Sequence, residues 1–305
     1  MTPDVSQLSA LWATDGSDAA RKAMPLLRAL VLPSATRLII LTVVPHTFLS
    51  GARPDMAFLL KATPGAKRKA LLEGEELAQE EATLLDPSGV SVEAISRWGN
   101  PIEEILKAAR TRSADLIVLG AKGHSNLGLI LVGSVSQGVV QHATRPVLIA
   151  RPGLESTDLK EIVVGYQGSP AARRAVAFLE RLALPGNAHI HLIDVVEPFG
   201  VPAGTPVSYR KRAMEEAHEI NEHRHYAAQR RLDVLAQRLR TANHSVDTEV
   251  LAGDPGPELD EAAKRHNAGL IVVGSRKPDP LRHYLLGSTA EKLVRHAHTS
   301  VLVVR

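Results

Sequence analysis

The chain has no cysteine among its 305 residues. That removes disulfides, thiolate nucleophiles and cysteine-ligated metals together. Aromatic residues make up only 3%, so a core must be built from Leu, Val, Ile and Ala, and there is no aromatic platform for stacking nucleic-acid bases. Charge of one sign is missing too. Lys and Arg number 36 against 33 Asp and Glu, a formal balance of +3, and the basic residues are scattered, which argues against nucleic acid as a partner. No apolar run reaches membrane-spanning length, and the N-terminus has no basic region followed by an apolar segment. The expectation is a soluble, cytoplasmic protein with neither membrane nor nucleic acid as partner.

What is present reads as alternating strands and helices. Leu8 to Thr14 reads as a short strand, and Asp15-Gly16-Ser17 as a turn and helix cap. Ala19 to Leu30 then carries an apolar face at helical spacing. Arg37 to Val44 is an apolar strand stopped by Pro45, and a helix is expected from about Ala66 to Leu85. Val90 to Arg97 alternates as a strand, Gly99-Asn100-Pro101 starts a helix through Ala109, and Asp115 to Leu119 is the next strand. Arg145 to Arg151 closes the unit.

The pattern then begins again. Gly253-Asp254-Pro255 follows Gly99-Asn100-Pro101 by 154 residues. Leu270 to Gly274 follows Leu116 to Gly120, and Ser300 to Arg305 follows Pro146 to Arg151, at the same offset of 154. An offset held over several landmarks marks an internal duplication. Near-continuous Val/Ile/Leu strands between helices imply parallel sheets covered on both faces. The expected fold is α/β: two tandem doubly wound domains, 1–152 and 159–305, each a five-stranded parallel sheet flanked by helices. Ligands in such sheets bind outside the carboxyl ends of the strands, at the switch point, where Asp15, Val43 and the loop after Gly120 converge.

That loop reads GAKGHSNLGLILVGS from Gly120 to Ser134. A buried strand runs into glycines and the loop ends at a helix start, which suits an anion. Glycine lets backbone approach closely, and the first helical N–H groups lack intrahelical acceptors. The same stretch is also compatible with a plain strand–loop–helix connection. It is not a Walker A loop, since no lysine follows Gly133, and its glycines are too far apart for the dinucleotide fingerprint.

The spacing resembles the nucleotide signature of the universal stress protein family, G-2x-G-9x-G-[ST], with Gly120, Gly123, Gly133 and Ser134 at its four positions. The resemblance covers almost the whole chain. It implies that Thr14 and Asp15 are first-strand nucleotide contacts, that Val43 reads adenine through its backbone, and that Leu119, Gly120, Gly123, Gly133, Ser134, Val135 and Ser136 surround ribose and phosphates. The implied ligand is ATP, with or without Mg²⁺, in a regulatory or stress-adaptation role. It also implies pairing through the last strands, Val147 to Ile149 and Val301 to Val304, as an intramolecular pseudo-dimer or a homo-oligomer. The second half departs from the signature: Gln167 stands at the Asp15 position and Lys277 at the Gly123 position, which reads as a degenerate site. No motif residue is an evident general base for water, so hydrolysis is expected to be slow at most. The rival readings are a scaffold or chaperone-like protein with an empty loop, and an enzyme, whose HxGH-type motif is not found. His218, Glu222 and His225 share a helical face that could hold zinc, but they read as a solvated charged helix. His142 and His296 sit near matching helix ends, where a cation suits the dipole.

Overall fold

The computed structural model describes residues 8–33, 35–45, 64–121, 132–151, 159–241, 244–275 and 286–305. Its first half runs β1 (Leu8–Ala13), α1 (Asp18–Arg21), α2 (Met24–Leu26), β2 (Ala35–Pro45), α3 (Pro64–Leu85), β3 (Ser91–Gly99), α4 (Pro101–Thr111), β4 (Leu116–Gly120), α5 (Ser134–His142) and β5 (Val147–Ala150). The second half repeats it as β6 (Glu161–Gly165), α6 (Pro170–Leu179), β7 (His189–Val196), α7 (Val207–Thr241), β8 (Ser245–Ala252), α8 (Pro255–Arg265), β9 (Leu270–Gly274), α9 (Ser288–His296) and β10 (Ser300–Val304).

Each half is the expected five-stranded parallel sheet, in the order β3-β2-β1-β4-β5 and β8-β7-β6-β9-β10. The two sheets join edge to edge. β5 and β10 pair antiparallel, with Leu148 opposite Leu302, so the described strands form one ten-stranded sheet. The last strands thus satisfy each other within a single chain, and the edges left are β3 and β8.

Successive strand residues point to opposite faces. Ala10, Trp12, Leu116, Leu148, Leu302 and Val164 lie on one side with α3, α6 and α7. Leu11, Ile117, Ile149, Val301 and Val163 lie on the other with α4, α5, α8 and α9. Both apolar layers run through both halves.

One expected element differs. Ala19 to Leu30 is not a single helix. α1 ends at Arg21, α2 spans three residues, and a π turn follows over Leu27–Val31, where the Leu32 N–H donates to the Leu27 carbonyl at 2.7 Å. Pro25 has no N–H to donate to the fourth residue back, so the α ladder breaks there although the apolar spacing continues. Among the described residues no helix is long and apolar enough to cross a membrane.

Candidate functional site

In the first half the order of strand addition reverses between β1 and β4, which lie parallel and adjacent. β1 pairs with β2 on one side and β4 on the other, with Ala13 opposite both Leu41 and Leu119. The residues following β1 therefore lie beside the carboxyl end of β4. Thr14 is buried, and its N–H extends the sheet by donating to the Leu41 carbonyl at 3.0 Å. Its hydroxyl accepts from the Gly16 N–H at 3.1 Å. Gly16 has φ +71°, the left-handed region that glycine occupies without strain, and the turn sends the chain into α1.

Asp15 is exposed. Its Oδ1 accepts from the Ser17 N–H at 3.1 Å and from the Ser17 hydroxyl at 2.6 Å, while Ser17 Oγ caps α1 by accepting from the Ala20 N–H. One carboxylate oxygen is thus engaged in the turn, and the cap of α1 is Ser17 and not Asp15.

Gly120 serves packing. A Cβ there would lie 2.5 Å from the Ala19 carbonyl oxygen and 2.7 Å from the Ala20 Cα, so the start of α1 rests directly on the end of β4. Gly274 does the same against Ala171 in the second half. Leu119 is fully covered in the core, while Val43 and Val135 are half-buried beside it. The Ser136 hydroxyl donates to the Gly120 carbonyl at 3.0 Å and ties the first turn of α5 to the strand end.

α5 opens differently from its neighbours. α1, α4, α6 and α8 begin with side-chain caps from Ser17, Asn100, Ser169 and Asp254. α5 and α9 begin at Gly133 and Gly287 with no capping side chain. Among the described residues, no side chain caps the first N–H groups of α5, which lie next to an exposed Ser134 hydroxyl. Chemically this is a set of donors at the positive end of a helix. Gly123 and His124 lie outside the described residues, as does Lys277.

The second half keeps the turn and changes the chemistry. The Tyr166 N–H donates to the Ile193 carbonyl at 2.8 Å, Gly168 has φ +75°, and Ser169 caps α6. Gln167 lines a cavity of about 390 Å³ with Asp194, Val196, Arg224 and Arg231. Asp194 is buried, which pushes its carboxyl above the usual range, and Arg231 opposes that shift by donating to it at 2.8 Å. A Cβ on Gly168 would lie 2.9 Å from Arg231 Cδ. The long helix α7 therefore lays an arginine across this end of the sheet. His218, Glu222 and His225 are exposed on α7. His142 Nδ1 lies 2.8 Å from the Gly138 carbonyl in the last turn of α5, as expected for a donor at a helix C-terminus.

The universal stress protein family profile matches residues 9–151 and 159–305. A universal stress protein of Methanocaldococcus jannaschii is 32% identical over 149 residues, covering 48% of this chain and 82% of its own. One of Mycolicibacterium smegmatis is 25% identical over 262 residues, 83% of this chain and 82% of its own. Among solved structures, a universal stress protein from Archaeoglobus fulgidus superposes with a TM-score of 0.71 at 24% identity, over 97% of this chain and 98% of that one.

Proposed function

The chain belongs to the universal stress protein family, and on that premise we propose that its first half binds ATP as a regulatory ligand. The observation that carries the reading is the start of α5. Its first N–H groups, which no side chain caps among the described residues, and the Ser134 hydroxyl adjoin the end of β4, to which Ser136 ties the first turn of the helix. Phosphate oxygens would take these donors, as anions do at helix N-termini. Gly133 brings no side chain to the approach, Gly120 lets the start of α1 rest on the end of β4, and Val135 and Ser136 continue the first turn. Thr14, Asp15 and Leu119 border the ribose, and the backbone at Val43 meets the base. Mg²⁺ would ride on the phosphates and not on a protein cage.

The second half is proposed not to bind ATP. Gln167 lacks the charge of Asp15, Lys277 replaces a glycine, and Arg231 with Asp194 lies across the strand ends. No motif residue activates water, so ATP acts as a conformational ligand and not as a fuel.

The test is calorimetric titration of nucleotide-stripped protein with ATP and Mg²⁺. One site per chain is expected, weakened by Asp15→Ala and removed by Gly123→Lys, which copies the second half. A silent titration would favour the scaffold reading.

A further inference from the structure

At the amino end of the second half's strands, opposite the candidate nucleotide edge, two imidazoles meet a carboxylate. Glu161 begins β6 and His189 begins β7, and they are register partners. His191 is two residues further along, so it shares their face. His191 Nε2 lies 2.7 Å from Glu161 Oε2, and His189 Nδ1 lies 3.7 Å from the same oxygen. One ligand atom from each of the three residues falls within 4.8 Å of the others. The geometry points to a site for a borderline divalent cation of the zinc class, bound by Glu161, His189 and His191.

The spacing fits such an ion. Metal–ligand bonds of about 2.0–2.2 Å in a tetrahedron put ligand atoms roughly 3.3–3.5 Å apart. The observed 2.7 and 3.7 Å straddle that separation and the two imidazole nitrogens lie within 4.8 Å of each other, so side-chain rotations can close the set. Imidazole nitrogen with one carboxylate oxygen selects zinc-class metals over calcium or magnesium, which prefer oxygen. His191 is buried and fixed, while Glu161 and His189 remain about a third exposed, leaving an entry path and room for water as a fourth ligand.

A carboxylate stands within reach as a support. His189 Nε2, the nitrogen turned away from Glu161, lies 3.0 Å from Asp247 Oδ2 without hydrogen-bond alignment, so a small turn of either side chain would make the bond. A ligating histidine held by a carboxylate through its second nitrogen is the usual way that ring orientation and tautomer are set. The His266 ring stacks on His191 at 3.8 Å and restricts its rotation.

The duplication supplies an internal control. The corresponding positions in the first half are Ser9, Arg37 and Ile39, with Arg37 paired to Glu93 of the neighbouring strand. The fold at this edge needs only an ordinary ion pair, so the histidines are not required by the architecture.

The experiment is titration of the chelator-stripped full chain with Zn²⁺ by calorimetry, and with Co²⁺ by visible absorption. One ion per chain with tetrahedral cobalt bands is expected. His189→Gln should abolish the bands. Asp247→Asn, an exposed residue that is not a ligand, should weaken Zn²⁺ about 10- to 100-fold. The double variant His218→Gln/His225→Gln on α7 should bind as the parent does. Metal-free melting curves matching the parent would show that each variant is folded. No cobalt bands at saturating metal, or binding unmoved by His189→Gln, or binding lost in the α7 double variant, would overturn the proposal.

Discussion

The guanidinium of Arg305 donates to the carbonyl of Val140, near the C-terminus of α5 in the other half of the molecule. Arg151 makes the reciprocal bond to the carbonyl of Val294 in α9. Both the arginines and the carbonyls are 154 residues apart, so the duplication produces a pair of crossed helix caps beside the β5–β10 seam. Each cation meets orphan carbonyls and the negative helix end. Burial lowers both guanidinium pKa values to about 10, which leaves them charged near neutral pH.

Removing one of these caps should loosen the junction. Arg305→Ala is expected to cost about 1.5–3 kcal/mol, the range for hydrogen bonds to a charged group, read as a lower urea midpoint. An unchanged midpoint would mean that the crossed bonds contribute nothing net.

Gly120→Ala should destabilise the fold whether or not nucleotide is present. The added Cβ would meet backbone of α1, which cannot swing aside as a side chain would. An overpacking cost of about 1–3 kcal/mol is expected, and Gly274→Ala should behave alike. Melting temperatures of the two variants, with and without ATP, would check this. A Gly120→Ala protein that melts like the parent would show that α1 shifts freely.

Much of this was legible from residue order. The repeat offset located the strands, the glycine helix starts and both C-terminal arginines, because duplication conserves spacing. The crossing of Arg151 and Arg305 was not legible, since it depends on how the last strands meet. The break at Pro25 was readable in principle but was masked by an apolar spacing that fits a continuous helix. The His189-x-His191 alternation placed two imidazoles on one strand face. That alternation alone does not mark a site, because Glu161 and Asp247 arrive from other strands, whereas His218 and His225 share a helical face within one segment.

Acid should reveal Asp260. Burial alone would raise its carboxyl, but the His298 ring at 2.7 Å and the His298 backbone N–H at 3.0 Å outweigh it, and the pKa falls below the ordinary 3.8. A depressed folded pKa contributes stability that is full above the unfolded value and is lost as pH falls through the folded one. Urea midpoints measured from about pH 5 downward should therefore drop less steeply below about pH 4 in Asp260→Asn than in the parent. Identical slopes would remove Asp260 from the account.

The most direct test of the ATP reading is native mass spectrometry of the full chain with ATP and Mg²⁺. The account predicts a single nucleotide adduct per chain, absent in Gly123→Lys and retained in Gln167→Ala. Two adducts on the parent would show that the second half also binds. No adduct at saturating ATP would contradict nucleotide binding by the first half.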